Sequence, residues 1–193
     1  MLQGRGLPGT HDLDLLGRTL TAVQNAKGSG LDIRLPIFDK SQYAGFGDRS
    51  ADEMIVRDAP DVFILEGWSL GYRPLSTEIL ESRWKSAKHA SRHSFSSIEE
   101  VNRNLGDIVE SIYGFFDAHI ALCPDSYDNI YAWRTQQEHA MKARNGGQGM
   151  SDEEVVAFVD RYMPVYELYG DTTRHEQCLT VHLGKDRSVL AVS

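Results

Sequence analysis

The 193 residues are 41% apolar and 25% charged, with a formal net charge of -8 and two cysteines. This balance suits a globular chain of one domain, residues 1–193, with enough length for a substantial core. The acidity and the lack of a basic patch exclude a broad nucleic-acid surface or an acidic membrane surface, and no apolar run reaches membrane-spanning length.

Cys123 and Cys178 form no short-spaced pair, and the first residues lack a signal-peptide core, so reduced thiols in a cytoplasmic compartment are expected. Residues 4–12 (GRGLPGTHD) combine three glycines and a proline, which makes them a loop with Thr10 as an N-cap. Leu13, Leu16, Leu20 and Val23 then recur at helical spacing, Asp12 and Asp14 complement the dipole in the first turn, and Gly28-Ser29-Gly30 ends the helix. Ile33, Leu35 and Ile37 alternate with Asp32, Arg34 and Pro36, predicting a short strand near a sheet edge. A polar loop from Phe38 to Arg49 follows.

Val62 to Leu65 are four consecutive apolar residues between Pro60 and Glu66-Gly67. They predict a strand covered on both faces, with Glu66 at its carboxyl end, where open α/β sheets gather ligands. Leu75 to Lys88 is a predicted helix. Ser97 and Glu100 are spaced as a capping box for a long amphipathic helix carrying Ile98, Val101, Leu105, Ile108, Ile112 and Phe115. Ala118 to Pro124 is a second predicted buried strand.

Asp128 to Arg144 is a polar helix, with Arg134/Glu138 and Glu138/Lys142 at supportive spacing. Ser151 and Glu154 make another capping box, and Pro164 should kink or interrupt the helix that it opens. Leu179 to Leu183 and Val189 to Val192 flank a turn at Gly184 to Arg187. Strands alternating with helices predict an α/β protein with a largely parallel sheet. His89 and His93 have a metal-compatible i, i+4 spacing, but no third ligand supports it.

Several segments in order resemble the D-glycerate 3-kinase family, closest to its fungal branch: GRGLPGTHD, LPIFDKS with GFGDR, FILEGW, ALCPDS, WRTQQE and MSDEEVVAFVDRYMPVYE. The resemblance implies a P-loop-kinase-like fold, an ATP- and Mg2+-dependent phosphotransferase and a small hydroxylated metabolite as acceptor. It assigns Arg5, His11 and Asp12 to one acceptor-binding loop and Asp39, Lys40 and Arg49 to a second. Glu66 becomes the metal-associated acid of a Walker B strand, and Arg134, by the lid helix, a cation for the transferred phosphate. Asp39, Glu66 and Arg134 are the catalytic candidates; Arg5, His11, Asp12, Lys40 and Arg49 bind substrate.

No G-x-x-x-x-G-K-[ST] occurs in the sequence, and the family's first strands are expected upstream of the GRGLPGTHD loop. Phosphotransfer is therefore expected to be impaired. The alternative is a repurposed biosynthetic or binding protein, for example in fungal specialised metabolism, that uses the acceptor pocket alone. A strand at Val62 to Leu65 without its central neighbour would leave backbone groups unpaired in a dry interior, so a homodimer or a partner chain completing the sheet is expected.

Overall fold

A computed structural model describes residues 5–173 and 178–193. Gly4, the first residue of the first loop, lies outside them. The residues group into two compact units, one made of Gly71–Gly106 with Asp117–Ser193, the other of the chain up to Leu70 with Asp107–Phe116.

The second of these units opens with α1 (Leu13–Ala26). Its cap is Asp12, not Thr10: the Asp12 carboxylate accepts from Leu15 N at 2.9 Å. Thr10 closes the preceding loop instead, and two cap-forming residues this near each other are not separable by residue type alone. Leu13, Leu16 and Leu20 of α1 pack with Leu70, Ile108, Ile112 and Tyr113, as their spacing predicts. Burial of Leu20, Ile108 and Ile112 contributes about 1.5–3 kcal/mol each.

The predicted strand is β1 (Ile33–Asp39), and it pairs antiparallel with β2 (Asp48–Val56), which begins inside the predicted loop. Proline has no N–H to give to a ladder, and the register shifts between Pro36 and Phe38. Beyond β2, residues 62–65 depart from expectation. They belong to no strand, and Val62 and Ile64 are 73% and 82% exposed. An apolar run states what would be buried in a sheet; it does not supply the neighbouring strands, and no described strand pairs with this one.

The other unit carries α2 (Thr77–Ser86) and the first part of α3 (Phe95–Ile112). Ile98, Val101 and Leu105 are fully buried, as the spacing of α3 requires. The helix starts two residues before the predicted capping box, where Ser94 Oγ accepts from Ser97 N at 3.4 Å. Next come β3 (His119–Pro124), α4 (Asn129–Arg144), α5 (Asp152–Asp160), α6 (Met163–Tyr169), β4 (Cys178–Leu183) and β5 (Val189–Val192).

The Ser151/Glu154 capping box opens α5 as predicted, and Pro164 sits in the first turn of α6, so the predicted helix is interrupted there. The chain is α/β, and its three-stranded sheet is mixed: β3 and β4 run parallel, β4 and β5 antiparallel. Only one face of β3 is covered. Ala121 is buried, whereas Ile120 and Leu122 are 69% and 66% exposed, so the predicted burial of this strand holds for one face only. No helix among the described residues is long and apolar enough to cross a membrane.

Candidate functional site

The loop before α1 is held from inside by the buried Leu7 and Pro8. Thr10 Oγ1 accepts from Gly6 N at 2.8 Å and donates to Leu7 O at 2.7 Å. This ties the loop into a short closed turn with Arg5, His11 and Asp12 on its exposed side. Asp12 has two tasks. While Oδ1 caps α1, Oδ2 lies 3.0 Å from Arg49 Nη2, at the start of β2.

The Leu15 N–H, then the Arg49 and Arg18 charges, hold the Asp12 carboxyl below the usual carboxylate range. A depressed folded-state pKa stabilises above the unfolded-state pKa, and the effect is lost as pH falls through the folded value. Asp12→Asn should therefore lower the melting temperature at pH 7 and cease to do so in acid, below the depressed pKa. Equal losses at both pH values would remove the ionic contribution from this contact. Crowding around the His11 ring lowers its pKa, leaving a neutral imidazole at pH 7, although part of the side chain stays exposed.

Across the hairpin, Arg5 donates through Nη1 to the Phe46 carbonyl, and its guanidinium lies 5.2 Å from the centre of the Phe38 ring. Asp39, paired with Asp48 at the end of the ladder, is engaged locally: its carboxylate accepts from Ser41 Oγ at 2.6 Å and Ser41 N at 2.9 Å. These bonds depress its pKa, the Ser41 hydroxyl most. Both bonds favour the ionised form of Asp39.

Lys40 and Glu66 are exposed, without a hydrogen-bond or ion-pair partner among the described residues. The structure therefore brings Arg5, Asp12 and Arg49 into one constellation around the hairpin, with His11 and Asp39 next to its members in the chain. Glu66 stays outside any such network. No group of three or more His, Cys, Asp or Glu side chains among the described residues could hold a metal ion.

Arg134 belongs to the other unit. Its guanidinium donates to Gln137 Oε1 at 2.7 Å and Glu138 Oε2 at 3.0 Å, and lies 5.0 Å from the centre of the Phe158 ring. Arg144 is exposed in the last turn of α4. His89 and His93 flank a 3-10 turn, and His89 Nδ1 is 3.8 Å from an Asp160 oxygen.

A cavity of about 300 Å3 at the carboxyl end of β3 is lined by Cys123, Asp125, Tyr127, Tyr166, Glu167 and His182, among others. Its carboxylates are engaged: Glu167 accepts from His89 N and Ala90 N, Asp171 holds Arg83, and Asp125 accepts from Asn129. Residue types and spacing did not reveal that Thr10 closes the first loop or that the Phe38 ring lies against Arg5.

No protein-family model matches the chain. Among curated proteins it is 37% identical over 195 residues to "Uncharacterized kinase mug58" of Schizosaccharomyces pombe, covering 97% of this chain and 68% of that protein. It is also 37% identical over 200 residues to "Probable ATP-dependent kinase TDA10" of Saccharomyces cerevisiae, covering 98% and 66%. The solved D-glycerate 3-kinase of Cryptococcus neoformans superposes with a TM-score of 0.93 at 36% identity, over 98% of this chain and 69% of that one. The chain thus spans about two thirds of the length of these relatives. Such identity along nearly every residue, with a superposition that close, means that the chain belongs to the D-glycerate 3-kinase family of kinase-like proteins.

Proposed function

We propose that these residues form the acceptor side of a small-molecule kinase and bind a small hydroxylated metabolite through Arg5, His11, Asp12, Lys40 and Arg49. The observation that carries this reading is the Asp12–Arg49 pair, which ties the cap of α1 to the start of β2 in the same unit as the anchored Arg5. Guanidinium groups with a fixed carboxylate suit a ligand that offers both an anion and a hydroxyl, because guanidinium donors match carboxylates in pairs and Asp12 can accept from the hydroxyl. In phosphoryl transfer such groups contribute positioning and electrostatics more than covalent chemistry.

ATP and Mg2+ enter through the relatives, one of which is named as an ATP-dependent kinase. No G-x-x-x-x-G-K-[ST] lies within the 193 residues, so by themselves they bind the acceptor without transferring phosphate efficiently. The same observation favours the second reading, a metabolite-binding protein that uses the acceptor pocket alone.

Calorimetric titration with D-glycerate, the substrate named for the Cryptococcus relative, tests the proposal with and without Mg-ATP. Binding that does not need nucleotide is expected, weakened at least about tenfold by Arg49→Ala, the equivalent of one charge-assisted hydrogen bond. No binding of D-glycerate or of a panel of short hydroxy acids overturns the acceptor reading. Efficient phosphate transfer by the 193 residues alone overturns the impairment.

A further inference from the structure

We propose that Phe38 and Gly47 are positioning residues for Arg5, a clamp that fixes one cation of the acceptor site; the ligand-facing half of this proposal rests on the acceptor reading above. Arg5 lies over the Phe38 ring and donates to the carbonyl of Phe46, the residue just before Gly47. Gly47 has φ +77, and a Cβ placed there would stand 2.5 Å from Phe38 Cε1 and 2.6 Å from Arg5 Nη1. A side chain at position 47 would occupy the space where ring and guanidinium meet.

The local sequence explains how the clamp forms. Gly45 and Gly47 both adopt positive φ, and Gly47 N donates to Gln42 O at 2.8 Å. That turn aims the Phe46 carbonyl at Arg5 while β1 presents Phe38 from the opposite strand. A guanidinium held by a ring face and a carbonyl loses less freedom on binding a ligand than a solvated one.

The test uses arginine side-chain NMR of the whole chain, with the Arg5 signals assigned through Arg5→Lys, together with D-glycerate titration. Ring-current-shifted Arg5 signals are expected in the native chain and in Phe38→Tyr, and their loss in Phe38→Leu and Gly47→Ala. Gly47→Asn tolerates positive φ but also brings a Cβ into that space, so it should lose the shift as Gly47→Ala does. D-glycerate affinity should fall about tenfold with the shift and recover in Phe38→Tyr. An unshifted Arg5 signal in the native chain, or one that Phe38→Leu leaves in place, overturns the clamp. A native chain that shows the shift but binds neither D-glycerate nor any of the panel of short hydroxy acids overturns the acceptor reading, and with it the ligand-facing half of this proposal, while the clamp itself is upheld.

Discussion

Glu138→Ala is expected to lower the unfolding free energy by about 3–5 kcal/mol, the range for removing one partner of a buried ion pair. Glu138 is 1% exposed on α4, with one oxygen on Arg134 Nη2 at 3.0 Å and the other accepting from Met150 N at 2.8 Å. The carboxylate thus joins α4 to the residue just before the Ser151 cap of α5. Gly149 makes the approach possible, since a Cβ there would lie 2.5 Å from Glu138 Oε1. An exposed i, i+4 pair would contribute only about 0.3–0.5 kcal/mol, so the size of the loss discriminates burial from surface chemistry. Glu138→Gln keeps an acceptor for Met150 N and loses the charge facing Arg134. It should cost less, roughly 1–3 kcal/mol. Urea denaturation of both variants measures the difference, and an alanine cost below about 1 kcal/mol would sink the argument. Arg134 carries the functional corollary: any phosphate that it meets must compete with Glu138, Gln137 and the Phe158 ring.

What could be read from the residues follows what each signal physically reports. Helical spacing reports a buried stripe, so α1 and α3 were legible, as were the Ser151/Glu154 box and the interruption at Pro164. The strand β2 was not. Asp48 to Glu53 are mostly polar and, apart from the half-buried Ser50, exposed, and a strand this wet leaves no alternation to read. Residues 62–65 failed in the opposite sense, because apolar character was present and no strand among the described residues pairs with them. For the site, residue types and order pointed to Arg5, Asp12 and Arg49, while the pairing of Asp12 with Arg49 is a distance between elements that no local pattern encodes. Asp39 shows the same limit: its engagement by Ser41 follows from a turn geometry that residue types alone do not report.

Gly170→Ala is expected to destabilise by about 3 kcal/mol, the upper end of the usual range for overpacking. Backbone conformation is not the cause, since Gly170 has an ordinary helical φ of -59 at the end of α6. The cause is volume. An added Cβ would fall 1.8 Å from Tyr127 Oη, 2.6 Å from its Cζ and 2.7 Å from the Tyr166 carbonyl oxygen. The carbonyl belongs to the helix and cannot yield, so Tyr127 must leave, breaking its ring contact with Tyr166 at 5.0 Å and opening the cavity that both line. At roughly 2–4 °C per kcal/mol for a chain of this size, the melting temperature should fall by about 6–12 °C. Gly106→Ala, inside α3 with nothing within 4 Å of the new methyl, should instead stabilise by up to about 1 kcal/mol through helix propensity. Adding Tyr127→Phe to Gly170→Ala removes the nearest clash and should restore part of the loss. If the two alanine variants shift the melting temperature in the same direction, or the added phenylalanine restores nothing, the packing around Tyr127 is not what excludes a side chain at residue 170.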